Sequence, residues 1–387
     1  VASFLLDAHR SALTMSARAV FRCLVEAGPA TRPQIGQTLG LSRPTMSAAT
    51  AELERLGYIE VVGAVQGALG RKAAQYRVGP GAGHVIAVDA GSTHVRVRVA
   101  TLDRQLLHSR VHRLSSSHFL MNEEISAAVA DEVNAAIHEC RADRGPLRAI
   151  GIALPTRVVG PDQDHSATRQ DILFSHFTPP DGVDIVLENN VNCAAVAERH
   201  HGVAKGRETF AYVQIGLKIG MGLILSGQLL RGHNGAAGEI GHLTFPFAPG
   251  LVPEPGEVER YMGTEALMGR VRADWPADGG PVPQDAADLV ARAEAGEPAA
   301  SAHIARHADD IGALVAACVA VVDPGLVVLG GGLGAAKPLP ERVEAVARRL
   351  SYPVEVVSTG LGVDATALGI EKLAVDRALV GLLGEAA

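Results

Sequence analysis

The stretch "VIAVDAGSTHVRVRV", Val85 to Val99, decides how this chain folds. Val85 to Val88 is an apolar run of buried-strand length, and Val95, Val97 and Val99 resume a period of two beyond a turn. That turn is D-x-G-x-T, formed by Asp89, Gly91 and Thr93. Glycine there lets backbone amides approach an anion, threonine adds a hydroxyl, and aspartate can hold a metal through water. A hairpin so built can wrap a phosphate, although the same chemistry also closes ordinary hairpins.

Further strands follow toward the C-terminus. "AIGIALPT" (Ala149 to Thr156) and "DIVLENN" (Asp184 to Asn190) read as buried strands, the second running into the alanine-rich helical pattern "VNCAAVAERHHG". "AYVQIGLKIGMGLILSGQLLRGHNGAAGEIGH" reads as a strand, a turn marked by Gly216, Gly220 and Gly222, a second strand, and a glycine-rich loop ending at His242. "PGLVVLGGGLG" supplies a last strand and Gly330 to Gly332. Helical stretches such as "EEISAAVADEVNAAIHECRA" and "ASAHIARHADDIGALVAACVAVV" lie between them. Two halves of this kind, each with a glycine turn, predict a two-lobed α/β body with a central cleft.

Toward the N-terminus the pattern changes. "SARAVFRCLVEA" places Val20, Cys23, Leu24 and Ala27 at helical spacing, and Gly28-Pro29 stops it. A short helix follows, opened by Thr31, with Pro33 in its first turn and Gly40 at its end. Ser42 then caps a helix whose buried stripe is Met46, Ala49, Leu53 and Leu56. Two helices joined by a tight turn form a helix-turn-helix, whose second helix can lie in a DNA major groove. Arg43, Thr45, Ser47 and Ala48 would then face bases and phosphates. "YIEVVGAVQGALGRKAAQYRVG" reads as a two-stranded wing with Arg71 and Lys72 at its tip, able to meet phosphates or a minor groove.

Charge agrees with this division. Up to Pro80 there are nine Lys/Arg against five Asp/Glu, while the remainder carries 26 against 37 within a total net charge of −7. A basic segment on an acidic body suits a partnership between the first and nucleic acid. The expected domains are 1–80 for the winged helix, 83–188 for a small lobe and 189–369 for a large lobe. Gly79-Pro80-Gly81 serves as linker, and a C-terminal helix, 370–387, packs back on the small lobe. Four widely spaced cysteines read as reduced, mostly buried thiols and exclude a cysteine metal site. Neither a signal peptide nor a membrane span is read, so the expected location is the cytoplasm.

In order, D-x-G-x-T, E-N-[N/D]-x-N, a glycine-rich strand turn, G-E-I-G-H and D-P-x-x-V-V-L-G-G-G resemble the ROK family of repressors and sugar kinases. The likeness runs from Ala17 to Leu379, "AAGEIGH" (Ala236 to His242) is its most specific part, and the winged helix resembles the regulator branch. The resemblance implies an actin-like, ribonuclease-H-like ATPase fold. It also implies a hexose site at Asn189, Asn190, Glu239, His242 and Glu259, and a phosphate site at Asp89, Gly91, Thr93, Gly216, Lys218 and Gly331.

Three departures oppose phosphoryl transfer. Asn190 stands where the family's kinases carry the aspartate that takes the sugar hydroxyl's proton, and a neutral amide is no base near pH 7. It can still hydrogen-bond a hydroxyl. Gly216-Leu217-Lys218 replaces Gly-Thr-Gly, removing a hydroxyl and a glycine, although Lys218 can attract a phosphate. The family's zinc cysteines are missing from "LTFPFAPGLVPEPGEVERYMG", where Pro246, Pro249, Pro253 and Pro255 stiffen the loop instead. The expectation is a non-enzymatic regulator, a homodimer or homotetramer, that binds operator DNA and senses a sugar or sugar derivative, with no zinc and no ATP. Two alternatives stay open: an active sugar kinase with a DNA-binding domain, and a regulator whose vestigial cleft answers to a protein partner. Outside these motifs, "RHHG" (Arg199 to Gly202) reads as a solvated helix end, and "HRLSSSH" has no supporting carboxylate.

Overall fold

The computed structural model describes residues 13–66, 72–118, 120–140, 144–160, 163, 168–244, 250, 252, 254–334, 336–337 and 339–384. Helix α1 (Met15–Ala27) is capped by the Thr14 hydroxyl and buries Ala17, Val20, Phe21, Leu24 and Val25. Its face is therefore turned from the expected one. Cys23 is half-buried and Ala27 exposed, because Phe21 takes the core, its ring 5.9 Å from that of Tyr58. After the short strand β1 (Ala30–Thr31), Thr31 and Gln34 form a capping box that starts α2 (Arg32–Leu39), and Gly40 ends it in the left-handed region at φ 65°. Loss of such a cap costs about 1 kcal/mol.

Ser42 caps α3 (Arg43–Arg55), which buries Met46, Ala49, Thr50 and Leu53. Leu56 is half-buried as the residue closing that helix. Strands β2 (Ile59–Gln66) and β3 (Lys72–Val78) pair antiparallel as a wing, and β1 pairs with Gln75 and Tyr76 as a third strand. Two residues carry no readable period, so β1 left no trace in the sequence pattern.

The body consists of two sheets with one strand order. In the small lobe, β4 (His84–Ala90), β5 (His94–Thr101) and β6 (Leu106–Arg113) form an antiparallel meander. Helix α4 (Glu123–Glu139) then returns the chain to β7 (Leu147–Leu154) and β8 (Asp184–Asn189), which run parallel to β4 in the order β6-β5-β4-β7-β8. Helix α5 (Asn190–His201) leads to the large lobe, where β9 (Phe210–Ile215), β10 (Ile219–Leu225) and β11 (Gln228–Leu230) repeat the meander.

Helices α6 (Glu257–Met262), α7 (Thr264–Asp274), α8 (Ala286–Glu294) and α9 (Pro298–Val322) follow. Next come β12 (Leu326–Gly330), α10 (Gly331–Gly334), α11 (Leu339–Leu350) and β13 (Glu355–Ser358), giving the order β11-β10-β9-β12-β13. Strand β12 is thus not the last, as expected, and β11 adds a strand where only a loop was read. Both short strands sit in "SGQLLRG" and "PVEVVS", too short to show alternation.

Each lobe sends a helix to its neighbour. Helix α5, entered from the small-lobe sheet, packs on β9 and β10, whereas α12 (Ala365–Leu383), entered from the large-lobe sheet, packs on β4 and β7. The two helices meet along their lengths. Gly369 permits this, since a Cβ there would lie 1.8 Å from the Cys193 carbonyl oxygen. Helix α12 starts five residues before the expected 370, and its far end does more than cover the small lobe. Ala374, Val375, Ala378 and Leu383 share one apolar core with Ala17, Val20, Phe21 and Leu24 of α1.

The segment read as a linker is fixed. Pro80–Ala82 is a 3-10 turn, Gly81 donates to the Gly57 carbonyl at 2.9 Å, and Arg148 donates to the carbonyls of Gly81 and Ala82. No helix among the described residues is long and apolar enough to cross a membrane.

Candidate functional site

On α3 the first turn is solvent-facing. Arg43, Ser47 and Ala48 are exposed, whereas Thr45 is half-buried and its hydroxyl lies 2.8 Å from that of the capping Ser42. Thr45 is thus partly engaged in holding the helix start. Lys72, the first residue of β3, is exposed; Arg71 lies outside the described residues. Of the four prolines assigned to the loop after His242, Pro246, Pro249 and Pro253 lie outside them too.

Between the lobes lies a cavity of about 760 Å³. Asn189, Asn190, Glu239, His242 and Glu259 all line it, although they come from three separate segments. Asn190 opens α5, and its side-chain amide has no partner among the described residues, so it faces the cavity ready to exchange hydrogen bonds. Asn189 is different. Its side-chain oxygen accepts from Val191 N at 2.9 Å and from Asn192 N at 3.4 Å, and its amide donates to Thr156 O at 3.0 Å. Those bonds cap α5 and tie it to the small lobe, leaving one amide hydrogen for a ligand. Glu239 and His242 stand 4.0 Å apart across one turn, with side chains 36% and 67% exposed. Glu259 is half-buried on α6, where its carboxylate accepts from Ile219 N at 3.4 Å.

The buried Glu188 organises this junction. Its carboxylate takes bonds from Arg231 Nε at 2.7 Å, Asn192 Nδ2 at 2.9 Å and its neighbour Asn189 N at 2.8 Å. Arg231 begins the glycine-rich loop that carries Glu239, so one carboxylate joins the start of α5 to the opposite rim. Only the carboxylate is buried, at 4% exposed; the Arg231 side chain is 53% exposed, so solvent screens this pair. Gln214, Thr156 and Arg157 also line the cavity and were not singled out from sequence. Gln214 precedes the glycine turn by two residues, a position that could have flagged it.

The expected phosphate set does not assemble in this cavity. Asp89, Gly91, Thr93, Gly216 and Gly331 are not among its lining residues. Asp89 lies within β4 rather than in the turn, and burial raises its carboxyl to about 6 against the opposing pull of Arg96. Thr93 places its hydroxyl 2.7 Å from His94 Nδ1. Gly216 and Gly331 adjoin in the large lobe, where the left-handed Gly331 (φ 82°) packs on the Ile215 carbonyl. Lys218 does line the cavity: it reaches across to the small lobe and donates to Pro155 O at 3.1 Å. The resemblance grouped it with the phosphate set, and of that set it is the member found lining the cavity beside the sugar-site residues.

Two smaller expectations need correction. His200 and His201 are half-buried rather than solvated, with Arg104 within 2.9 Å of His201, and burial pushes both imidazoles down to about 4. His118 does have a carboxylate, that of Glu124 at 2.5 Å. Of the four free cysteines, Cys193 and Cys318 are buried while Cys23 and Cys140 are half-buried. Among the described residues no three His, Cys, Asp or Glu are grouped to hold a metal, and no cysteine follows His242 before Gly263.

Comparison with known proteins places this geometry. A family described as the ROK family matches residues 85–377. The xylose repressor of Bacillus subtilis (strain 168) is 25% identical over 229 residues, 58% of this chain and 59% of that protein. The chain thus spans less than two thirds of that repressor's length. A crystal structure described as a ROK family transcriptional regulator, homolog of E. coli MLC protein, has a TM-score of 0.72 at 20% identity, over 95% of this chain and 98% of that one. It shares the fold from the N-terminal helices onward. The ROK hexokinase of Thermus thermophilus matches 75% of this chain and 97% of its own, with a TM-score of 0.57 and 29% identity.

Proposed function

The chain belongs to the ROK family, and from that membership we propose that it is a transcriptional regulator that binds operator DNA through α3 and the wing and senses a sugar or sugar derivative in its cleft. One observation carries the reading. The cleft lined by Asn190, Glu239, His242 and Glu259 opens at the start of α5, and α5 packs on α12, whose far end lies in the winged-helix core. A ligand that favours one arrangement of the lobes would shift α5 against α12 and thereby the position of the winged helix. The shift can be no larger than the ligand's difference in affinity for the two states.

In this reading two chains act together, presenting two recognition helices to palindromic half-sites. The body works without zinc and without ATP. The similarity to repressors and to a full-length regulator fold supports the reading, and so does the position of Asn190. An amide there can bind a hydroxyl but cannot take its proton, and a positioned general base is worth about 10²–10⁴ in rate.

The second reading, an active sugar kinase, draws on Asp89 and on the hexokinase likeness. Coupled ADP release measured across hexoses, pentoses and amino sugars separates the two. The regulator reading expects no turnover above background. Turnover that disappears in Asp89→Ala would replace it with the kinase reading.

A further inference from the structure

Two cations of the cleft, Lys218 and Arg157, make no direct ion pair among the described residues. Lys218 leaves the turn between β9 and β10 and spans the cleft, where Pro155 O at 3.1 Å is its acceptor. That uses one of three N–H donors, and Lys218 makes no ion pair among the described residues. Burial pulls its ammonium below the usual lysine value, with Glu259 and Glu239 opposing that pull from a distance. Two residues past Pro155, Arg157 lines the same cavity. Its Nη1 donates to Asn234 O at 2.8 Å, and it too makes no ion pair among the described residues.

The cleft is therefore charged unequally along its rims. Both cationic groups gather at the Pro155–Arg157 segment that follows β7. The carboxylates of Glu239 and Glu259 belong to the large-lobe segments after β11. Glu259 and Glu239 offset the burial of Lys218 only in part, and a ligand anion adds charge-assisted hydrogen bonds to the N–H donors that Pro155 and Asn234 leave over. Carboxylates suit the hydroxyl side of a sugar, since they accept from O–H groups.

Resting on the sugar-site reading, we propose that the effector is an anionic monosaccharide, whose carboxylate or phosphate pairs with Lys218 and Arg157 while its hydroxyls meet Asn190, Glu239 and Glu259. Lys218 gives up Pro155 or shares its donors when the anion arrives.

Calorimetric titration of the full chain tests this with glucuronate, galacturonate and glucose 6-phosphate against glucose, galactose and xylose. At least one anionic sugar should bind about tenfold or more tightly than its neutral parent, as expected for a charge-assisted bond. Its affinity should fall with added salt. Lys218→Met, which keeps the aliphatic stem, should erase the preference, and Arg157→Gln should weaken it if Lys218→Met fails to fold. The carboxylate and phosphate arms decide which anion is carried. Neutral sugars binding as tightly as their acids, or a preference that survives both substitutions, would overturn the proposal while leaving the sugar site standing. If no sugar of either class bound, the sugar-site reading itself would fall.

Discussion

Asn189 and Asn190 are identical side chains one residue apart, and the fold uses them differently. The first caps α5 and ties it to Thr156, while the side chain of the second lines the cavity with no partner among the described residues. That Asn190, Glu239, His242 and Glu259 line one cavity was legible because motif spacing on a known scaffold fixes where backbone goes. The engagement of Asn189, the reach of Lys218 and the hub at Glu188 were not, because they depend on side-chain direction and on partners distant in sequence. At this scale Glu239→Ala should lower sugar affinity at least about tenfold, the worth of a charged hydrogen bond, with DNA affinity unchanged. Titration of the variant with the wild-type ligand checks it, and equal affinity would remove Glu239 from the site.

His307 offers a test of the core. It is 1% exposed on α9, both ring nitrogens lack partners among the described residues, and burial drives its imidazole down to about 4. The unfolded residue takes a proton near its ordinary 6.5, the folded one not until about 4. Stability present above pH 6.5 is therefore lost as pH falls toward 4, by on the order of 2 kcal/mol between pH 7 and 5. Urea unfolding at both pH values should show that extra loss in wild type and not in His307→Leu. Equal losses would mean the imidazole finds a partner in solution.

Among the elements, α3 and α12 carry the account. Long periodic helices such as α4 and α9 were readable from sequence, as were β4, β5, β7 to β10 and β12. The strands β1, β11 and β13 were not, since two to four residues are too few to show a period and only their neighbours in the sheet define them. Nor was β6, which is mostly exposed and whose "LLHSRVHR" shows no clean alternation. The exposed Arg43 at the start of α3 should matter for operator DNA alone. Arg43→Ala should weaken binding by about 1–3 kcal/mol and leave sugar affinity intact, which fluorescence anisotropy and calorimetry can read on one preparation. Undiminished DNA affinity would show that another surface reads the operator.

Helix α12 can be probed at its tightest point. An alanine at 369 would put a methyl 1.8 Å from the Cys193 carbonyl oxygen. Gly369→Ala should therefore destabilise the body by about 1–3 kcal/mol, as overpacking does. Because the clash lies in the α5–α12 seam, the surviving folded protein should also lose part of its DNA response to sugar. An unchanged unfolding midpoint would contradict the tight packing of that seam.

Across the whole molecule, the two lobes repeat one strand order and exchange helices, so α5 and α12 form the seam between them. The two-lobed plan was visible in the repeated glycine turns, but the fusion of α12 with the winged-helix core was not. That core gathers residues more than 350 positions apart, Ala17 and Leu383 among them, and no local pattern announces it. In the proposed function, it is through this core that a change at the cleft reaches α3.

The most direct test is the affinity of the full chain for duplex DNA enriched from a random-sequence pool, measured by fluorescence anisotropy with and without a saturating cleft sugar. A shift in Kd of about tenfold or more is expected, within the usual range of coupling free energies. A sugar that demonstrably fills the cleft yet leaves DNA affinity unchanged would contradict it.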